Sequence, residues 1–478
     1  MLPEQFLRRM QRVLGHDFEP LVHALTEGAP VRALRRTGKG RQADVPRLLS
    51  AYRPTSIPYA DGGFYFEGEH IGHTPLHHAG GIYVQDPGAM SAVAAVDVHP
   101  AMRVADLCAA PGGKSSQVAA QLSDGWLLAN EFVPSRARIT VQNFERLGLR
   151  RTVVTSLDTA SLTELYDAYF DLVIVDAPCS GEGMFRKNEL AISEWSEENV
   201  LACAERQAHI LDQAAALVTD GGRLLYATCT FSPEENELTV DAFLDRHPDF
   251  VLVRPHERVL PFTAPGLDLP YRHIHDPSMC RRFYPHIAPG EGQFFAVLER
   301  QNAGKKPTIL CKNAAIPCQK NEKRVIDAQL ADAFSIDPSF AVASLGGRPI
   351  LLPCGMCVPP CSATHLAGVP LGEVRSERLI PHHYLFSAFG TEARRTICLD
   401  EADPRVRAYL HGEEISADVA DGFAAVLYEG IPLGGGKITG GRVKNHYPKG
   451  LRERASTVPH ACRSTRIRHV APHAHQQQ

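Results

Sequence analysis

The chain has 478 residues, of which 44% are hydrophobic and 22% charged, and its formal net charge is −4. This is the composition of a globular protein of about two to four domains with a large core, and it excludes a uniformly basic nucleic-acid-binding surface. No apolar run is long enough to span a membrane and the N-terminus lacks a signal-peptide core, so we expect a cytoplasmic protein without membrane association.

The N-terminal region begins with an amphipathic pattern that predicts helix over residues 3–27. The basic run Val31–Asp44 follows, and its pattern fits either a solvated loop or an edge that contacts nucleic-acid phosphates. His73 and His77 have the spacing of a zinc-binding helix, but Pro75 lies between them. We therefore expect a histidine-bearing loop there.

Short apolar strands alternate with helices from Met102 to about Arg300. This alternation predicts a parallel sheet with helices on both faces, and ligands of such sheets bind at the carboxyl ends of the strands. The predicted strands are Arg103–Leu107, Trp126–Ala129, Val153–Thr155, Leu172–Val175, Leu224–Ala227 and Phe294–Leu298, and the predicted helices begin near Gly113, cover Pro134–Leu147 and run from Leu201 to Val218.

Beyond about Asn302 the elements become shorter, with a strand predicted at Ala424–Tyr428 and a basic segment at Lys444–Arg452. The last residues, 455–478, are polar and aperiodic, which predicts disorder. Three cysteines cluster in a proline-rich stretch, but a zinc site usually needs two regular pairs of ligands, so we predict no metal. Those cysteines are Cys354, Cys357 and Cys361, with Cys311 and Cys318 upstream.

The run Asp106–Ser115 contains a Gly-Lys-Ser sequence but is not a nucleoside-triphosphate loop. A Walker loop requires glycine five residues before its Gly-Lys-Ser, where this chain has Cys108. The run is therefore interpreted as a tight turn in which Gly112 and Gly113 let backbone N–H groups approach a small ligand.

Three carboxylates follow successive predicted strands: Glu131, Asp158 and Asp176. Each alone is typical of a cap or a turn. Glu131 has the spacing of a carboxylate that binds ribose hydroxyls, and the three together indicate a nucleoside-binding ring. The set favours an adenosyl ligand such as S-adenosylmethionine.

Two cysteines, Cys179 and Cys229, end predicted strands of the same region. A buried cysteine is most often a small hydrophobe, but here Pro178 or Thr228 precedes each thiol and polar residues follow. A thiolate beside an electrophilic methyl group suggests covalent activation of a poor carbon nucleophile, such as carbon 5 of a pyrimidine.

These motifs resemble the Sun/Fmu family of RNA cytosine-5 methyltransferases, to which the chain is similar over most of its length. The resemblance implies a class I, Rossmann-like α/β methyltransferase domain between an N-terminal α+β RNA-binding lobe and a C-terminal PUA-like region. It implies that Cys229 is the nucleophile and that Cys179 assists product release. It also implies that S-adenosylmethionine binds Cys108, Ala109, Ala110, Pro111, Gly112, Gly113, Lys114, Glu131, Asp158 and Asp176.

The C-terminal part resembles the branch that modifies small-subunit (16S) ribosomal RNA, so the implied partner is ribosomal RNA or the small ribosomal subunit, with no obligate protein partner. Two alternatives remain: the same chemistry on transfer RNA, and a ribosome-assembly factor that binds RNA. The expected domains are an RNA-binding lobe at 1–95, the catalytic domain at 96–300, a small linker domain at 301–390, the PUA-like module at 391–454 and the tail at 455–478.

Overall fold

The computed structural model describes residues 2–301, 304–310, 312–359 and 362–453. The predicted disordered tail, 455–478, lies outside these residues, as do Cys311 and Cys361 of the cysteine cluster.

The N-terminal region is α+β, as expected. Its predicted helix is divided in two because Gly15 adopts a φ of +55°, which ends the first helix. A four-stranded antiparallel sheet follows, in the order β2-β3-β1-β4. The elements are α1 (Glu4–Leu14), α2 (Phe18–Thr26), β1 (Ala33–Arg36), α3 (Val45–Leu48), β2 (Thr55–Ser56), β3 (Gly63–Tyr65), α4 (Pro75–His78), β4 (Ile82–Val84) and α5 (Pro87–Ala94).

The histidine segment is a loop that leads into one helical turn. Pro75 occupies the first position of α4, where a missing N–H costs nothing, and Thr74 caps the turn. His73 therefore precedes the helix and His77 lies within it, so the two rings do not share one helix face.

The central region is a Rossmann-like sheet of five parallel strands in the order β7-β6-β5-β9-β10, with antiparallel strands at both sides. The expectation of a parallel sheet is thus corrected to a mixed one, because β14 returns antiparallel beside β10 and β11, β12 and β13 extend that edge. The strands are β5 (Arg103–Asp106), β6 (Trp126–Asn130), β7 (Thr152–Thr155), β8 (Tyr166–Asp167), β9 (Phe170–Asp176), β10 (Val218–Thr228), β11 (Phe250–Val253), β12 (Ala264–Pro265), β13 (Cys280–Phe283) and β14 (Gln293–Arg300).

Helices cover both faces of this sheet, and two apolar clusters fill the space between the layers. One predicted helix, Pro134–Leu147, has the bounds that the sequence indicated, since Pro134 begins it and Gly148 ends it at a φ of +64°. Val218, predicted as the last residue of a helix, instead begins β10. The helices are α6 (Gly113–Ala119), α7 (Pro134–Leu147), α8 (Thr159–Thr163), α9 (Glu189–Glu194), α10 (Glu197–Leu217) and α11 (Glu237–Arg246).

The C-terminal region contains small sheets and one five-stranded sheet in the order β22-β24-β25-β26-β23. One of its strands, β18, extends the central sheet by pairing antiparallel with β7. The elements are β15 (Thr308–Ile309), α12 (Lys320–Ala333), β16 (Phe340–Leu345), β17 (Arg348–Pro353), β18 (Thr364–Ala367), β19 (Val369–Pro370), β20 (Gly372–Arg375), β21 (Arg378–Pro381), α13 (His383–Phe389), β22 (Thr396–Leu399), α14 (Arg405–His411), β23 (Ile415–Ser416), β24 (Gly422–Tyr428), β25 (Ile431–Thr439) and β26 (Arg442–Asn445).

The N-terminal sheet contacts the five-stranded C-terminal sheet. Leu34 and Ile82 of the N-terminal sheet belong to the same apolar cluster as Ile431 and Leu433 of β25. The N-terminal lobe and the five-stranded sheet therefore pack against one another beside the central sheet.

Candidate active site

The candidate active site lies at the point of the central sheet where the order of the strands reverses. Strand β5 is flanked by β6 and β9, so the chain leaves β5 in one direction and later returns to its other side. Asp106 ends β5 and Asp176 ends β9. Open α/β sheets bind ligands at such a point, outside the carboxyl ends of the strands. The Nζ of Lys114, from α6, joins the two strand ends through an ion pair of 2.8 Å with Oδ2 of Asp176.

The buried carboxyl of Asp106 holds the glycine turn after β5 through hydrogen bonds. Asp106 accepts a hydrogen bond from Ser115 Oγ at 2.5 Å and one from the N–H of Cys108 at 3.3 Å. Burial raises the pKa of Asp106 to about 7 and that of the Cys108 thiol well above its usual range. Gly112 caps α6 with a φ of +103°, a conformation that favours glycine. The turn Cys108–Lys114 is thus held at the start of α6 by hydrogen bonds to Asp106.

Glu131 is positioned to bind a polar ligand. Its side chain is buried, and Oε1 accepts a hydrogen bond from the N–H of Val133 at 3.1 Å. Arg136 lies 3.5 Å from the same oxygen. Among the described residues no donor binds Oε2, which leaves one carboxylate oxygen for the two hydroxyls of a ribose.

Asp158, the third carboxylate of the predicted ring, caps α8 at the exposed end of the next strand. Its two oxygens accept hydrogen bonds of 2.8 Å from the backbone N–H and from the hydroxyl of Ser161. These two bonds lower the pKa of Asp158. The local structure is the cap that the residue alone suggests, and a contact with the cofactor stays a prediction.

The two predicted catalytic thiols lie side by side. Cys179 follows β9 and Cys229 follows β10, its parallel neighbour, and their Sγ atoms are 3.2 Å apart. Both are free cysteines and both are partly exposed. The N–H of Cys229 also donates to Sγ of Cys179 at 3.4 Å. The hydrogen bond with Cys229, together with burial, raises the pKa of the Cys179 thiol well above its usual range.

Two buried glutamates, to which sequence reasoning gave no role, hold the loops that carry these thiols. Glu182 accepts hydrogen bonds from Trp195 Nε1 at 2.8 Å, Ser232 Oγ at 2.7 Å, and Thr230 Oγ1 and the N–H of Phe231 at 2.9 Å each. It thereby ties the loop after Cys179 to the loop after Cys229. In the sequence Glu182 belongs to the run Asp-Ala-Pro-Cys-Ser-Gly-Glu-Gly at Asp176–Gly183, three residues after Cys179, whereas its burial appears only in the fold.

Glu235 makes the second connection. Its Oε2 accepts hydrogen bonds from the N–H of Ser180 at 3.0 Å and from Gln207 Nε2 at 2.8 Å, and its Oε1 contacts Ser180 Oγ. Gln207, from the middle of α10, also donates to the carbonyl of Pro178 at 2.9 Å. Glu235 belongs to the run Pro-Glu-Glu-Asn-Glu at Pro233–Glu237, and the fold brings its carboxyl within hydrogen-bond distance of Ser180, the residue after Cys179.

The loop after Cys229 has a further anchor in a buried ion pair. Arg282 donates through Nε to Oε1 of Glu237 at 2.6 Å and through a second nitrogen to the carbonyl of Phe231 at 2.8 Å. Both charged side chains are buried. Phe231 follows Cys229 by two residues, so this pair holds the same loop that Glu182 binds.

The basic segments divide between the interior and the surface. Arg35 is buried and donates to Gln85 Oε1 at 2.7 Å, and Lys39 donates to Ser387 Oγ at 2.7 Å. These two residues join the N-terminal lobe to α6 and α13, so the phosphate-contacting interpretation does not describe them. Arg36 and Lys444 are exposed.

Neither a metal cluster nor a membrane span is found in the part of the chain that the structure describes. No group of three or more His, Cys, Asp and Glu side chains in those residues is placed to hold a metal ion. Within the same ranges, no helix combines the length and the apolarity needed to cross a membrane.

Comparison with known families covers three segments of the chain. The model of "16S rRNA methyltransferase RsmB/F" matches residues 93–299, that of the N-terminal domain of the 16S rRNA methyltransferase RsmF matches residues 2–87, and that of the RsmF PUA domain matches residues 397–453. The chain belongs to the RsmB/F family of 16S rRNA methyltransferases. The predicted family, the Rossmann-like fold and the C-terminal PUA region are thereby confirmed.

Individual relatives agree with this assignment. The ribosomal RNA small subunit methyltransferase F of Klebsiella pneumoniae is 30% identical over 94% of this chain and 96% of its own length. The protein of the same name from Vibrio parahaemolyticus is 27% identical over 94% and 97%. The crystal structure of a methyltransferase homologue from Pyrococcus horikoshii is 26% identical, with a TM-score of 0.54, and covers 62% of this chain and 95% of its own.

The cofactor of this RNA methyltransferase is S-adenosylmethionine, and the switch point fits it. The Oε2 of buried Glu131, which has no hydrogen-bond partner among the described residues, suits ribose hydroxyls, and the turn at Gly112 brings the backbone of α6 to the strand ends.

Proposed function

We propose that this protein transfers a methyl group from S-adenosylmethionine to carbon 5 of a cytosine in 16S ribosomal RNA through a covalent adduct on Cys229. The observation that carries the proposal is the pair of free thiols, 3.2 Å apart, at the ends of two adjacent parallel strands. Family membership supports ribosomal RNA as the substrate class.

The chemistry requires a nucleophile because carbon 5 of cytosine does not attack a methyl donor unaided. The Cys229 thiolate forms a bond to carbon 6, and the electrons of the 5,6 double bond make carbon 5 an enamine nucleophile. When bound, S-adenosylmethionine supplies an electrophilic methyl group. Carbon 5 accepts that group, with S-adenosylhomocysteine as the leaving group, and then loses its proton to solvent, and the returning electrons break the bond between sulfur and carbon 6 and release Cys229 as the thiolate.

The two thiols take different roles. Ionising Cys179 is opposed first by its hydrogen bond with Cys229 and then by burial, which raises its pKa. The resemblance to the family assigns the attack on carbon 6 to Cys229 and assistance in release of the methylated product to Cys179, and a protonated Cys179 thiol agrees with the second role. Its distance of 3.2 Å from Cys229 brings it next to the bond that must break.

The remaining site residues bind cofactor and base. Glu131 accepts the ribose hydroxyls, the turn Cys108–Lys114 approaches the methionine part, and Asp158 contacts the nucleoside from the next strand end. Asp176, paired with Lys114 at 2.8 Å, lies between the cofactor turn and Cys179 and is positioned to meet the target cytosine.

Around this site we propose the division into an RNA-binding lobe at 1–95, a catalytic domain at 96–300, a linker domain at 301–390 and a PUA-like module at 391–454. The exposed Lys444 of β26 and Arg36 of β1 contact phosphates of the RNA, whose target base is unstacked so that carbon 6 becomes reachable. Ribosomal RNA as substrate favours a cytoplasmic location.

The test is methylation of separated RNA pools. Purified protein and radiolabelled S-adenosylmethionine are incubated with ribosomal or transfer RNA, or with small subunits, and label is assayed as 5-methylcytosine. Cys229→Ala should remove all label. Cys179→Ala should accumulate a protein–RNA adduct that survives denaturing electrophoresis, and Cys203→Ala, a buried thiol of α10, is the matched control.

Each alternative has its own outcome. Label only in transfer RNA would keep the mechanism and replace the substrate. A Cys229→Ala protein that keeps its biological activity would favour an RNA-binding assembly factor. Attack by the other thiol would be indicated if the adduct formed with Cys229→Ala and not with Cys179→Ala.

A further inference from the structure

Four buried side chains beneath the thiols form one continuous chain of oxygen contacts. Glu235 Oε1 lies 2.5 Å from Ser180 Oγ, Ser180 Oγ lies 2.8 Å from Thr230 Oγ1, and Thr230 Oγ1 lies 2.9 Å from Glu182 Oε2. Ser180 follows Cys179 and Thr230 follows Cys229, so each thiol is one residue from this chain. All four side chains are buried.

A count of hydrogens shows that this series of hydrogen bonds needs one proton more than the two hydroxyl groups supply. Each of its three oxygen–oxygen contacts is at hydrogen-bond distance and therefore requires one hydrogen. The two hydroxyls supply one hydrogen each, and ionised carboxylates supply none. Three contacts with two hydrogens would leave one pair of buried oxygens facing each other without a proton, so one of the two carboxyl groups must carry the third.

The donors around the two carboxyls identify which one is protonated. Glu182 accepts two donors on each oxygen, including Trp195 Nε1 and the N–H of Phe231, and this arrangement suits only an ionised carboxylate. Glu235 differs: its Oε2 accepts two N–H groups, whereas the one hydrogen-bond partner of its Oε1 among the described residues is the hydroxyl of Ser180. Glu235 Oε1 is therefore the position for the proton.

We propose that Glu235 is a positioning residue that works in its neutral form, its carboxyl proton completing the hydrogen-bond chain Glu235–Ser180–Thr230–Glu182 that keeps Cys179 and Cys229 side by side. Glu235 Oε1 donates to Ser180, Ser180 donates to Thr230, and Thr230 donates to Glu182. The consequence for catalysis rests on the proposed roles of the two thiols.

The surroundings of Glu235 agree with a neutral acid. Burial, with the Glu182 carboxylate nearby, raises the pKa of Glu235 to about 7. Four other ionisable groups of the described residues lie near Glu235 on the elements packed against it. They are Cys179 and Glu182 in the loop after β9, Cys203 of α10 and Tyr226 of β10. Its neighbours in sequence are paired elsewhere, Glu234 with Arg9 at 2.6 Å and Glu237 with Arg282.

Loss of the proton would alter the site directly. Two carboxylates would then face each other across two hydroxyls, and one of the three contacts would have no hydrogen. The loops that carry the thiols would move apart to relieve that contact. Methyl transfer should therefore fall as the pH rises through the pKa of Glu235, from a cause that is separate from ionisation of the thiols.

Two Glu→Gln substitutions, each of which replaces one carboxyl oxygen by an amide nitrogen, distinguish a neutral from an ionised glutamate. Glu235→Gln imitates the neutral acid, because its amide donates to Ser180 Oγ while its carbonyl accepts from Ser180 N–H and Gln207. Methyl transfer by Glu235→Gln should stay within about twofold of wild type, whereas Glu235→Ala should lose it. In Glu182→Gln the amide NH₂ group would face two hydrogen-bond donors in either orientation of the side chain. The substitution should therefore reduce methyl transfer about tenfold or more.

Two further measurements are independent of the folded yield of these variants. In a pH series, the ratio of wild-type to Glu235→Gln activity should fall as the pH rises through about 7. Infrared difference spectra of wild type minus Glu235→Gln at a pH below that value should show the carbonyl stretch of a neutral carboxylic acid. A Glu235→Gln protein as impaired as Glu182→Gln, a pH-independent ratio, or an absent carbonyl band would each overturn the proposal. Wild-type protein that forms no 5-methylcytosine would instead reject the proposed function, while the infrared result would still test Glu235.

Discussion

The buried pair of Arg282 and Glu237 offers the sharpest test of how the nucleophile loop is held. In Arg282→Met the apolar stem is kept and the guanidinium is lost. The wild-type side chains are 2% and 0% exposed, so the remaining carboxylate of Glu237 would be buried without its partner. The carbonyl of Phe231 would also lose its donor.

The magnitude follows from the burial. Removing one partner of a buried ion pair costs about 3–5 kcal/mol, because the remaining charge stays desolvated. The N–H of Leu267, 3.1 Å from Glu237, offsets only a small part of this cost. The double variant Arg282→Met/Glu237→Leu removes both charges and should recover most of the lost free energy of unfolding, since a buried ion pair and an apolar pair of similar volume are often equally stable.

The assay is urea unfolding followed by tryptophan fluorescence, with Arg375→Met as control. Arg375 forms a salt bridge with Glu373 in which both side chains are about two-thirds exposed, at 68% and 67%, and its loss should leave the midpoint unchanged. A loss below about 1 kcal/mol for Arg282→Met, or a double variant less stable than the single one, would refute the reasoning that an uncompensated charge dominates.

Two further predictions concern the cofactor side of the site. Glu131→Ala should weaken binding of S-adenosylhomocysteine, measured by calorimetry, by about tenfold or more, because one or two hydrogen bonds to a charged acceptor are lost; unchanged affinity would remove Glu131 from the ribose site. Gly112→Ala should lower the melting temperature and cofactor affinity together, because a Cβ at a φ of +103° is strained and would lie 3.1 Å from a carbon of the Phe144 ring. Gly221→Ala, also at positive φ but with open space around its Cβ and near the start of β10, away from the strand end that leads to Cys229, separates backbone strain from the contact with Phe144.

Local features of the chain were readable from the sequence. The bounds of α7 follow from Pro134 at its start and Gly148 after its end. The alternation of apolar strands and helices predicts the central sheet, and with it that Asp106, Asp176, Cys179 and Cys229 lie at the carboxyl ends of its strands. These inferences depend on capping and periodicity, which near neighbours in the sequence determine.

The tertiary structure decided what distant segments do to one another. Cys179 and Cys229 are 50 residues apart in sequence, and only the parallel pairing of β9 with β10 brings their sulfurs to 3.2 Å. The same packing turns Arg35 and Lys39 inward, because their donors meet acceptors on α6 and α13 that composition cannot reveal. Burial of Glu182 and Glu235 likewise depends on loops from different strands closing over them. Desolvation then raises the pKa of Glu235, and it is a property of the folded surroundings that the residue type alone does not carry.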